Sequence, residues 1–533
     1  MARDRDRAVT DDATEAHAST PVRSRTRPWR RRTGLILIAI LVLAAGLRAW
    51  DIAGNPPELF EDELSGVVSA WSIATTGHDV DRTVLPFLAT RLELKQPMYF
   101  FATVPFQALF GDDAAVVRIP AVLFGVLTTL LVVWLLLVLR LGSRVALFGG
   151  ALFAISPWAI HYARAAWEPA SYLPFAVAGI GLLWIGLRDH RRGPTIGAAV
   201  VFAFGAYTYH PALLMAVVMP LTIVAILRRD LRRSDLAHLV VGAGLALVIL
   251  IPYGLALSDP LFLSRTARLS VFHDGVTPEA LQLAWSNYWA QWSPAYLFGG
   301  TAPNPRINPG LLVDLWTIPF LVAGLDRLAH RRRREDLLLL AWLVLGALPA
   351  ALTDDRTTPH AARGLLVLPA LVAITAIGLD RGLSWLDRIA GTRPWKIVPI
   401  VAVVALAIAG TVSFYRTYQG PYIERSADWW GYGSGAALTT AGDLVPAGGE
   451  LCIATNDISG FTFTHQVLYY LPVRDYTITK GITAPVCSKP GTLLLTLATR
   501  ELDLTVEELA SIPGYDGEPK FRVVKVLGST ISG

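Results

Sequence analysis

The sequence has little charge and almost no cysteine. Of its 533 residues 17% are Asp, Glu, Lys or Arg and 53% are hydrophobic, whereas a soluble globular chain carries about 25% charged residues. That deficit excludes a chain built for water along most of its length. Two cysteines, Cys452 and Cys487, exclude a disulfide-framework domain, and no His/Cys cluster has the spacing of a structural zinc site. Neither a GxGxxG nor a Walker-type loop stands out, so nucleotide chemistry has no support. No solenoid-type repeat is present. The formal charge of +5 and pI near 9.2 do not point to nucleic acid, because the basic residues fall in short clusters between apolar stretches and not in one patch.

What is abundant is hydrocarbon. Stretches of about 20 apolar residues, enough to cross a bilayer, recur between Gly34 and Tyr415. They predict an α-helical polytopic membrane protein with about eleven spans: 34–50, 119–139, 145–160, 171–187, 195–207, 212–227, 236–257, 310–325, 337–352, 364–379 and 397–414. Arginine and lysine gather in alternate loops: Arg140 and Arg144; Arg188 to Arg192; Arg228 to Arg233; Arg331 to Arg334; Arg381 to Lys396. Such clusters mark cytoplasmic loops, which puts the N-terminus inside. Residues 1–33 then read as a disordered cytoplasmic tail, 34–418 as the membrane domain with outer loops 51–118 and 258–309, and 419–533 as a small α/β domain outside the cell membrane. The apolar segment Pro97 to Phe110 reads as a helix lying at the interface, since counting it as a span would invert every basic cluster. In the tail, 450–455, 492–497 and 521–527 have strand character, and Thr505 with Glu508 forms a capping-box pattern that predicts a helix over 505–512. Whether Cys452 and Cys487 pair depends on geometry.

Polar chemistry concentrates in the outer pieces. Glu61, Asp62 and Glu63 follow the first span, and a carboxylate there suits a general base, a role worth about 10²–10⁴-fold in rate; a solvated helix start is the alternative. Lys95 precedes a proline-started helix and suits a lipid phosphate, or snorkels to headgroups. Arg164 and Glu168 are four residues apart, so they either neutralise one another on a helical face or leave the arginine to grip a phosphate. Arg363, in His360-Ala361-Ala362-Arg363, is a second phosphate ligand or an end-of-span anchor. His210, Asn287 and Arg306 share outer loops with aromatic residues that suit sugars as well as a membrane interface.

The ordered set Phe60-Glu61-Asp62-Glu63, Lys95-Gln96-Pro97-Met98-Tyr99, Arg118-Ile119-Pro120, Arg164 with Glu168, Tyr207-Thr208-Tyr209-His210, Asn287-Tyr288, Pro305-Arg306 and His360 with Arg363 resembles the bacterial GT-C glycosyltransferases that use polyprenyl-phosphate sugars. That family is related to protein O-mannosyltransferases and to the aminoarabinose transferase of lipid A. The resemblance implies a GT-C-like fold at the cell membrane and transfer of a hexose or pentose from the carrier to an acceptor hydroxyl, with inversion. It implies Asp62 as base, with Glu63 beside it, and Lys95 on the donor phosphate, where Arg164 and Arg363 join it by their place at the outer membrane edge. Tyr99, Glu168, His210, Asn287, Arg306 and His360 follow as substrate contacts. The donor is a lipid-linked sugar, the acceptor a protein, lipid or polysaccharide, and no cofactor is expected, since Asp62 and Glu63 lack metal-ligand spacing. Here Gln96 follows the lysine where many members have proline, and Leu94 precedes it where many have an acid. A flippase for a lipid-linked substrate is the second class, although its charges would be expected near the midplane; a membrane sensor is the third.

Overall fold

The computed structural model describes residues 27–78, 96–256, 269–299, 304–354, 358–391, 393–454, 463–471 and 474–529. A helix lies at each of the eleven apolar stretches. Among the described residues six are long and apolar enough to cross a membrane: Arg31–Ala49, Ala114–Val138, Pro169–Arg188, His210–Leu227, Ala361–Ala390 and Pro394–Tyr418. Boundaries differ from the sequence expectation where prolines and polar residues decide. The stretch expected from Gly310 is helical only from Ile318, because Asp314 and a short 3-10 turn precede Pro319 at the helix start. The expected interfacial segment is helix Met98–Phe110, packed against helices Glu61–Thr76 and Ala114–Val138.

Close helix packing follows from small residues. A Cβ on Gly324 would lie 2.0 Å from the Ile374 carbonyl oxygen, and one on Gly378 would lie 1.7 Å from that of Phe320, so helices Ile318–Arg331 and Leu368–Ala390 touch backbone to backbone.

After helix Ile397–Tyr418 the chain builds a five-stranded sheet of β1 (Glu450–Ile453), β2 (Thr477–Lys480), β3 (Leu493–Leu497), β4 (Leu504–Pro513) and β5 (Pro519–Ser529), in the order β2-β1-β3-β5-β4. β1 runs parallel to β2 and β3, while β5 is antiparallel to β3 and β4. Helix Ser434–Leu444 covers one face through Ala437, Leu438 and Ala441. Cys452 and Cys487 form a disulfide that ties β1 to the turn Pro485–Ser488.

The helix expected over 505–512 is strand β4. Its capping-box pattern is local, whereas pairing with β5 is not: Val506 opposes Val526 and Ile512 opposes Phe521. The hairpin closes through the Gly514 N–H on the Glu518 carbonyl, with Gly517 at φ +83°, a left-handed value that glycine adopts without strain.

Candidate active site

Helix Glu61–Thr76 starts on three carboxylates, a charge its N-terminal dipole favours. Successive helical residues are about 100° apart, so these three neighbours point in different directions. Glu63 is fully buried. Asp62 lines a cavity of about 500 Å³, and Glu61 lines a second cavity.

Glu63 holds the first outer loop together. Its carboxylate accepts from Arg118 Nε at 2.8 Å and Nη2 at 3.0 Å, from the Ala166 N–H at 2.7 Å and from the Phe60 N–H at 3.1 Å. Arg118, equally buried, spends its remaining N–H groups on the carbonyls of Ile52, Pro56 and Glu58, each at 2.9 Å. All five of its donors are used. Arg164 does parallel work. It is fully buried and donates to the carbonyls of Arg48, Trp50, Asp51 and Asn55 at 2.7–3.0 Å. A buried loop without ladder partners needs such donors for its carbonyls.

Four sequence expectations are therefore corrected. Glu63 and Arg164 do not reach the cavity, because the loop consumes their hydrogen bonds. Tyr99 is buried and donates to the Val117 carbonyl at 3.0 Å, and Phe100 lines the cavity in its place. Asn287 braces the Thr353 carbonyl at 2.9 Å. Lys95 lies outside the described residues.

The structure does bring Asp62, Glu168, His210, Arg306, His360 and Arg363 to one cavity, whose remaining wall includes Leu214, Leu269 and Leu352. Arg306 Nη1 lies 3.4 Å from Asp62 Oδ2, and its guanidinium sits 3.4 Å over the Phe60 ring. The stack fixes the cation, and the cation fixes the carboxylate. Glu168 accepts from the Gln96 N–H, and the Gln96 amide meets His210 Nδ1 at 3.1 Å. Tyr209 and Arg363 lie on the same wall. Burial first, then Arg363 and Arg306, holds His360 well below its ordinary value, so its ring is neutral. Among the described residues no three His, Cys, Asp or Glu side chains gather to hold a metal ion.

Sequence reasoning missed Glu58, which joins the two halves of the protein. Its carboxylate accepts from the Tyr470 hydroxyl at 2.8 Å and from the Gly433 N–H at 3.4 Å. No local pattern marks it, since its partners are about 400 residues away. Burial pushes its carboxyl above the ordinary 4.5, against the opposing hydrogen bond from Tyr470. A raised folded value contributes stability below the unfolded pKa, and that contribution is lost as pH rises through the folded one. Exchange of the Gly433 amide, corrected for intrinsic rate, is therefore expected to be slower in mild acid than at neutral pH. Glu58→Gln should remove that difference; a pH dependence unchanged in this variant refutes the assignment.

Residues 95–255 match the family described as dolichyl-phosphate-mannose-protein mannosyltransferase. Comparison with curated proteins by sequence found no match. Among solved structures, ArnT from Cupriavidus metallidurans bound to undecaprenyl phosphate superposes with a TM-score of 0.55 at 16% identity, over 94% of this chain and 98% of that one. The oligosaccharyltransferase from Archaeoglobus fulgidus in its apo form gives 0.54 at 13% identity, over 89% of this chain and 70% of that one. The chain is thus a multi-pass membrane protein of the GT-C fold, similar over residues 95–255 to the dolichyl-phosphate-mannose-protein mannosyltransferase family.

Proposed function

We propose that this protein is a glycosyltransferase that moves a sugar from a polyprenyl-phosphate carrier to an acceptor hydroxyl on the outer face of the cell membrane. The observation that carries the reading is the Asp62–Arg306 pair on the wall of a cavity that also holds Arg363, His210 and His360. The acceptor oxygen attacks the anomeric carbon as its proton passes to the Asp62 carboxylate. The bond from that carbon to the phosphate oxygen breaks, and its electron pair leaves on the carrier phosphate. One displacement inverts the anomeric centre. Arg306, Arg363 and Lys95 hold the carrier phosphate, bound and departing alike. For Lys95 the support is that its neighbour Gln96 is tied to Glu168 and His210 at the cavity wall.

A lipid-borne donor follows from the proposed topology, because nucleotide sugars are cytoplasmic and the C-terminal domain with its disulfide suits an oxidising compartment. The related fold of ArnT binds undecaprenyl phosphate, which is the carrier class invoked here. In the test, purified protein in liposomes receives a labelled polyprenyl-phosphate sugar and crude envelope acceptor. Label is expected to leave the carrier for the acceptor, and Lys95→Ala or Arg363→Ala should raise the donor KM more than they lower kcat. Movement of labelled carrier between leaflets with no transfer overturns the reading in favour of a flippase.

A further inference from the structure

The second cavity, of about 490 Å³, opens between the membrane domain and the C-terminal domain. Glu61 and Arg306 line it from the membrane side; Asp428, Trp429, Gln466 and Lys520 line it from the other. Arg306 lines the Asp62 cavity too, so the two spaces meet at that side chain. Their walls differ in kind. The Asp62 cavity carries Leu214, Leu269, Ile307 and Leu352, whereas among the described residues no aliphatic side chain lines the second.

From this wall we infer that the second cavity is the acceptor site and that the acceptor is a saccharide. The inference rests on the transferase reading above. Trp429 is 44% exposed, offering an aromatic face to the C–H side of a sugar ring. Gln466 is only 5% exposed, yet its Oε1 has no hydrogen-bond partner. Leaving such a group unsatisfied is costly, and a sugar hydroxyl in the cavity would satisfy it. Asp428, held at 2.9 Å by Lys520 Nζ, supplies a fixed carboxylate with acceptor capacity to spare. The apolar part of this wall is aromatic, from Phe60, Trp429 and Phe521, and flat rings suit the face of a sugar better than an acyl chain. The volume falls in the range of about 300–1,000 Å³ usual for small-ligand sites. The chain around Glu61 and Asp62 then has an assigned use on each side: Glu61 lines the acceptor cavity, and Asp62, one residue on, lines the adjoining space where donor and acceptor hydroxyl meet.

Binding without turnover tests this separately from transfer. The full-length protein in lipid nanodiscs is titrated with soluble mannose, galactose, arabinose and glucose oligosaccharides by saturation-transfer NMR, and with undecaprenyl phosphate in parallel. At least one saccharide should bind. Trp429→Ala and Gln466→Leu should each weaken it about tenfold, while Trp429→Phe retains most of the affinity and all three variants keep carrier binding, which reports an intact fold. The inference is overturned if no saccharide binds, if both variants bind it like the parent, or if a Ser/Thr-rich peptide and not a saccharide shows the Trp429 dependence. Saccharide binding without carrier binding sinks the proposed donor and leaves this site standing.

Discussion

Asp62→Asn is expected to lower turnover by about 10²–10⁴-fold while carrier affinity stays close to that of the parent. The amide preserves the size of the side chain and can still face Arg306, so the cavity keeps its shape; what it loses is the capacity to take the acceptor's proton. The side chain is 37% exposed and its ion pair is long at 3.4 Å, so the fold does not depend on it, since partly exposed pairs contribute only about 0–1 kcal/mol. Single-turnover transfer of labelled sugar, with carrier binding measured on the same preparation, separates the two quantities. Parent-like transfer by a variant that binds carrier ends the assignment of Asp62 as base. Arg306→Ala supplies a second comparison. Without the cation stacked on Phe60 the carboxylate is no longer held, and both donor use and turnover should fall.

The same site shows what sequence could and could not reveal. The eleven apolar stretches were legible because hydrophobicity is a strong signal that survives any packing, and helices stand at all of them. A carboxylate beyond the first span drew notice because polar residues at a membrane edge need a purpose, and Asp62 lines a cavity. Asp62 was named among the three adjacent acids, but where Glu61 and Glu63 point was not legible. It depends on the helix beginning at Glu61, since a start one residue later would rotate every side chain by about 100°. Arg164 was misread because a cation at an outer turn looks available. Its availability is decided by four carbonyls from residues 48–55, whose burial no local pattern announces. The reassignment of residues 505–512 to a strand has a similar origin, since the partner strand β5 outweighs a local capping signal.

Glu63 should behave in the opposite way to its neighbour. Glu63→Ala is expected to destabilise the folded protein by about 3–5 kcal/mol, the usual result of stranding one partner of a buried ion pair. Arg118 would keep its three carbonyl bonds but lose both charge-bearing ones, and the N–H groups of Phe60 and Ala166 would lose their acceptor as well. The loop that carries Glu58, Phe60 and Asp62 would loosen with them, so activity falls here through structure. Thermal unfolding in detergent and the yield of monodisperse protein read this directly, and both should be near parental for Asp62→Asn. Glu63→Gln, which keeps an acceptor for Arg118 and for the Ala166 N–H, should lose less stability than Glu63→Ala. If Glu63→Ala unfolds like the parent while losing turnover, Glu63 belongs with Asp62 in the chemistry and the division of labour along this helix start is wrong. Three carboxylates in a row then serve one reaction, whereas the geometry puts Glu61 on the second cavity, Asp62 on the first and Glu63 in the buried loop.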